Sequence, residues 1–170
     1  MNIDINNFIY TGLFLTDKSK LMLKNKFINL INDGKFILNK NKCYFDHCTM
    51  LFNDKKLTDD KCIFILKFIS EIENNYKVKL TIDAIGKYES VYAFKVSSYS
   101  KIKDNILLKD IVKNKIPHIT AVLDFNKNKP VDSNKITDWI YIDPFEIDTE
   151  IKIINKRKRI INEIISRHLL

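Results

Sequence analysis

The apolar positions of this chain change period several times, and each change marks an element. Ile9–Leu15 is a short apolar run that predicts a strand, ended by Thr16-Asp17, a helix start. Leu23, Phe27, Leu30 and Ile31 then recur at helical spacing until Asn32-Asp33-Gly34 stops the pattern. A loop rich in Asn and Lys leads to a second strand over 44–52. Thr58–Asn75 predicts a second helix, with Ile63, Leu66, Ile69 and Ile72 on one face. Val78–Ile85 and Val91–Val96 predict two strands joined by a hairpin connection at Gly86-Lys87-Tyr88-Glu89. Ile106, Leu107, Ile111 and Val112 fit a short helical turn. Pro117 biases Ile116 away from helix, and a strand runs on from it. After a polar stretch over 126–135, Phe145, Ile147, Thr149, Ile151 and Ile153 alternate as a last strand. Ile160, Ile161, Ile164 and Ile165 then fit a closing helix. The order is βαβαββ, a short α, then ββα. No linker or low-complexity break interrupts it, so residues 1–170 read as one domain of mixed α/β class.

Two of the predicted strands carry the same unit. In His47-Cys48-Thr49-Met50-Leu51-Phe52 a histidine and a threonine are two residues apart, and His118-Ile119-Thr120-Ala121-Val122-Leu123 repeats this. A strand has period two, so His47 and Thr49 share one face while Cys48 and Met50 share the other. His118 and Thr120 share a face in the same way, with Ile119 and Ala121 behind them. The chain has three histidines, and two of them sit in this setting. The repetition suggests two lobes, each lending its motif strand to a shared groove.

Charge and cysteine content add little. The formal charge is +8 and the pI about 9.3, which is consistent with an anionic ligand. Lysine outnumbers arginine 26 to 3, and Lys, Asn and Ile all have A/T-rich codons, so an AT-rich genome would produce the same bias. Three cysteines without framework spacing point to reduced thiols and a cytoplasmic setting. Cys43, His47 and Cys48 have no second ligand cluster to complete a metal site, so none is expected. No apolar run approaches the roughly 20 residues of a membrane span.

The chemistry open to paired H-x-T strands is acid–base work at phosphorus. Two imidazoles can act as base and acid in one step, and each threonine hydroxyl can donate to a phosphate oxygen. Positioning and hydrogen bonding then supply much of the stabilisation without a metal.

These motifs, His47-Cys48-Thr49-Met50 and His118-Ile119-Thr120-Ala121, resemble the paired motifs of the 2H phosphoesterase (LigT-like) superfamily. Tyr10–Leu15 fits that family's lead-in strand, and Ala121 stands where a bulkier residue is usual. The resemblance implies a two-lobed, pseudo-symmetric α/β (α+β) fold, with antiparallel sheets lining a central groove and helices outside. It also implies His47 and His118 as catalytic residues and Thr49 and Thr120 as phosphate-binding ones. The implied substrates are 2′–5′-linked nucleotides, either 2′,3′-cGAMP or 2′,5′-oligoadenylate. The small free-standing members include viral enzymes of immune evasion, which would place this chain in a host cytoplasm. The alternatives are a 2′,3′-cyclic phosphodiesterase of RNA repair and a non-catalytic RNA- or nucleotide-binding module. A monomer without cofactor, membrane or obligate protein partner is expected. Further substrate contacts are expected from Tyr10, Tyr92, Phe125, Lys129, Ser133 and Asn134, with Trp139 as another stacking candidate. Lys156-Arg157-Lys158-Arg159 reads as a solvated charge run, and His168 as a bystander.

Overall fold

A computed structural model describes residues 7–31, 42–53 and 57–156. The closing helix, Arg157–Arg159 and His168 lie outside the described residues. Nine strands are described: β1 (Phe8–Leu15), β2 (Lys42–Cys43), β3 (His47–Phe52), β4 (Lys77–Tyr88), β5 (Val91–Val96), β6 (Lys101–Lys103), β7 (Ile106–Leu107), β8 (His118–Leu123) and β9 (Trp139–Asn155). Three helices, α1 (Asp17–Ile31), α2 (Asp60–Glu71) and α3 (Leu108–Ile111), and a 3₁₀ helix over Pro130–Lys135 complete the described elements. None of these helices is long and apolar enough to cross a membrane.

The two-lobed, pseudo-symmetric arrangement expected above is not what the chain forms. Six strands close into an antiparallel barrel in the order β8-β3-β1-β9-β4-β5, with β5 pairing back onto β8. Two strands cause the closure. β9 is 17 residues long; its first part pairs with β4 (Trp139 opposite Gly86, Glu150 opposite Lys77) and its last part with β1 (Thr149 opposite Leu15, Asn155 opposite Phe8). On the other side, β8 accepts β3 along one edge and β5 along the other, so Ile119 lies opposite both Cys48 and Phe94. Both edges of what would be two sheets are thereby consumed, and a closed ring leaves no edge exposed among its six strands.

The barrel is filled by the back rows of its strands. Leu13, Cys48, Met50, Leu80, Ile82, Phe94, Ile119, Ala121 and Ile151 are fully buried in one core. α1 and α2 pack on this core with most of the faces the spacing predicts, Ile72 included, and with one exception each. α1 buries Leu23 and Phe27 but leaves Leu30 44% exposed, and α2 buries Cys62, Ile65, Phe68 and Ile69 while Ile63 stays 54% exposed. α2 begins where Asp59 caps it, its carboxylate accepting from the Cys62 amide at 2.8 Å. The β4–β5 hairpin turns later than expected. Gly86, Lys87 and Tyr88 stay in the strand, and the turn is Glu89-Ser90, with Glu89 at φ 50°.

Candidate active site

The single register point between the motif strands sets their relation. Cys48 lies opposite Ile119 in an antiparallel pair, and extending that register by one residue puts His47 across from Thr120 and Thr49 across from His118. Opposed residues in an antiparallel pair share a face. Since Cys48 and Ile119 point into the core, all four motif side chains stand on the outer wall of the barrel. There they line one cavity of about 670 Å³.

His47 rests on β1. Gly12 lies opposite Thr49, and a Cβ at Gly12 would come within 2.9 Å of the Cys48 carbonyl oxygen and 3.3 Å of His47 Cδ2. Tyr10 and Phe14 also pack against the imidazole, with ring centroids 5.0 and 4.8 Å away. The His47 Nδ1 is 3.0 Å from Asp46 Oδ2. An ionised carboxylate can only accept, so Nδ1 carries the proton and Nε2 is left for exchange. Asp46 also pairs with Lys20 of α1 at 3.1 Å. Burial pushes the Asp46 carboxyl up, but its hydrogen bonds and charge interactions with His47 and Lys20 outweigh this and hold it below the ordinary value.

His118 has a different environment. Only 8% of it is exposed, and its Nδ1 donates to the Ile116 carbonyl at 2.8 Å, since a carbonyl oxygen can only accept. Burial lowers its pKa below 6.5, against the raising effect of the Ile116 hydrogen bond, and the charge of His47 lowers it further. Its Nε2 is 2.8 Å from Ser133 Oγ, which also lies 3.1 Å from Thr120 Oγ1 and 2.6 Å from the Pro130 carbonyl oxygen. The 3₁₀ helix that carries Ser133 is pinned from below. Buried Asn128 donates to Glu89 at 2.7 Å and accepts from Ser90, while Asp132 caps the Lys129 amide at 2.8 Å.

Of the residues singled out in the sequence, Tyr10, Lys129, Ser133 and Asn134 line this cavity with the four motif side chains. Tyr92 and Phe125 do not. Tyr92 packs edge-on against Phe27 at 5.6 Å, with the Lys87 ammonium 5.1 Å from its ring. Phe125 lies beyond the end of β8, where the Lys127 amide bonds back to the Asp124 carbonyl, and is 63% exposed. Thr11 is a buried strand residue whose hydroxyl donates to the Lys152 carbonyl at 2.9 Å. Cys48 faces away from His47, and burial pushes its thiol up to about 12, so the two do not form a ligand pair.

Asp46, Tyr44, Phe52 and Asn114 also line the cavity and were not read from the sequence. Asp46 is the consequential one. Period-two reasoning sends neighbouring side chains to opposite faces, but Asp46 precedes β3 and follows Phe45, whose φ of 44° reverses the chain there. An acidic residue directly before a motif histidine was the available signal.

No protein-family model matches the chain, and no curated protein matches it significantly.

Proposed function

We propose that this cleft is the active site of a metal-independent phosphodiesterase that cleaves 2′–5′ linkages in nucleotide messengers, 2′,3′-cGAMP or 2′,5′-oligoadenylate. The observation that carries the reading is the pairing of two imidazoles in one cavity with unlike surroundings. One is buried and favours its neutral form; the other is backed by a carboxylate. The preference for 2′–5′ linkages rests on the resemblance of the two motifs to the 2H phosphoesterases, not on the cavity.

In this mechanism neutral His118 takes the proton of the vicinal 3′-hydroxyl at Nε2 as its oxygen attacks phosphorus. The bond to the 5′-oxygen breaks in line, and His47, entering this step as the imidazolium, gives its Nε2 proton to that oxygen as it leaves and keeps the one on Nδ1. The products are a 2′,3′-cyclic phosphate and a free 5′-hydroxyl. Thr49 and Thr120 donate to the non-bridging oxygens, and exposed Lys129 brings a cation to the same cavity. Asp46 orients His47 and compensates the charge on its ring.

One observation favours the binding-module alternative: both ring nitrogens of His118 already have partners, Ile116 and Ser133. The deciding experiment is incubation with 2′–5′-linked, 3′–5′-linked and terminal 2′,3′-cyclic substrates in excess EDTA, with product analysis. Cleavage of the 2′–5′ compound to a 2′,3′-cyclic phosphate is expected. Faster opening of the terminal cyclic phosphate would move the chain to RNA repair. Tight binding without turnover of any substrate would leave a binding module.

A further inference from the structure

A second cavity of about 490 Å³ adjoins the first, and the two share Asn114, His118, Ser133 and Asn134. Both volumes fall within the roughly 300–1,000 Å³ usual for small-ligand sites. Trp139, the first residue of β9, lines the second cavity and not the first. Trp139 pairs across the ladder with Gly86. A Cβ at Gly86 would come within 2.7 Å of Trp139 Cε3 and 2.5 Å of Ile136 Cγ2, so the indole lies against a strand where only glycine leaves it room. The indole Nε1–H is buried without a protein acceptor among the described residues, so no hydrogen bond ties the ring to its present pose. Lys115 and Thr137 complete a polar, cationic margin.

From this juxtaposition we infer that the second cavity is a nucleoside subsite in which Trp139 stacks on a base, and that the ligand of the whole cleft carries two bases. The inference rests on the proposed phosphodiesterase reading for which half of the ligand goes where. His118 lines both cavities and His47 only the larger one; with His118 taking the proton of the attacking hydroxyl and His47 serving the leaving oxygen, the nucleoside bearing that hydroxyl occupies the Trp139 side. The leaving nucleoside occupies the larger cavity, among Tyr10, Tyr44 and Phe52. A terminal cyclic phosphate of a single nucleoside would fill one half only. The substrate class assigned is therefore a dinucleotide or a longer chain.

Trp139 is the only tryptophan of the chain, so its emission reports on the subsite directly. The probe is a 2′–5′-linked diadenosine whose 3′-hydroxyl is replaced by hydrogen, which removes the nucleophile and prevents turnover. Saturating probe is expected to quench the indole emission. Trp139→Ala is expected to raise the probe's Kd, measured by calorimetry, about tenfold to a hundredfold, the range of one lost base stack. Trp139→Phe should restore most of the affinity. Unchanged emission at saturation, no binding at millimolar probe, or wild-type affinity in folded Trp139→Ala would each overturn the subsite. Should Trp139→Ala not fold, the wild-type emission and Trp139→Phe decide. None of these readouts needs turnover. Quenching by the probe with no cleavage of its 3′-hydroxyl parent would uphold the subsite and sink the phosphodiesterase reading; cleavage without quenching would do the reverse.

Discussion

The Nε2 of His118 and the hydroxyl of Ser133 are 2.8 Å apart, and their hydrogen bond reverses direction when His118 gains a proton. With Nδ1 held protonated by the Ile116 carbonyl, neutral His118 must accept at Nε2, so Ser133 donates to it and not to Pro130. Imidazolium donates at Nε2, and the Ser133 hydroxyl is then free to donate to the Pro130 carbonyl, 2.6 Å away. The charged ring thus has one more satisfied bond beside it than the neutral ring has. Ser133→Ala removes the bonds to His118 and Thr120 from the neutral state, and those two with the Pro130 bond from the charged one. It should lower the His118 pKa further, which an NMR titration of the imidazole would detect; an upward shift would show that Ser133 serves the neutral form.

The two histidines should differ in how they tolerate removal. His47→Ala leaves a gap at a partly exposed position, whereas His118 is buried and is better replaced by Gln, which keeps volume and polar partners. Each change removes a proton-transfer group and should cost about 10²–10⁴-fold in rate. Because base and acid act in one step, the double variant should resemble the worse single one. Full activity in either folded single variant would end the two-histidine mechanism.

Asp46→Asn keeps the shape but removes the charge that backs His47, and it also breaks the pair with Lys20. Asparagine can still accept at its carbonyl oxygen, so the ring need not turn. The expected loss is about tenfold to a hundredfold in kcat, with little change in KM, as for other groups that act through a catalytic one. A rise in KM at constant kcat would instead make Asp46 a substrate contact.

Burial of His118 also makes stability depend on pH. Its folded-state pKa lies below 6.5, chiefly because burial disfavours the charged ring, so between that value and 6.5 the unfolded chain binds the proton more readily. Stability from this group is therefore present in full above pH 6.5 and is lost as pH falls through the folded value. Urea midpoints measured from pH 7.5 downward should drop through that window in wild type, and His118→Gln should lack this component. The same sign governs activity, which should persist into mildly acidic buffer because the base stays neutral there.

Much of the site was legible because period two is a local property. The back rows Cys48, Met50, Ile119 and Ala121 are all in the core, and that places the front rows together once β3 and β8 pair. The barrel was not legible, since closure depends on β9 reaching both β1 and β4, a long-range pairing that no local pattern encodes. On α2 the spacing places Ile69 and Ile72 in the core and Leu66 against it, but not Ile63: Ile63-Phe64-Ile65-Leu66 is continuously apolar and fits more than one helical phase, and packing selects Cys62 and Ile65. Gly86 looked like turn chemistry but serves a packing need, the close approach of Trp139 and Ile136. Asp46 was hidden by the positive φ of Phe45.

Gly12 offers the most selective test of the His47 environment. A methyl group there would sit 2.9 Å from the Cys48 carbonyl oxygen, a backbone atom that cannot step aside alone, and 3.3 Å from His47 Cδ2. Gly12→Ala should therefore have two separable effects. The backbone contact strains the β1–β3 ladder and should cost about 1–3 kcal/mol of stability, the usual range for overpacking. The ring contact pushes the imidazole off β1 and should lower kcat beyond what destabilisation explains. A double-mutant cycle separates them. In a His47→Ala background the ring contact no longer exists, so Gly12→Ala should still cost stability but should not reduce the residual rate any further. If Gly12→Ala lowers the rate by the same factor with and without His47, the glycine acts on the cleft as a whole and not through the seat of that ring.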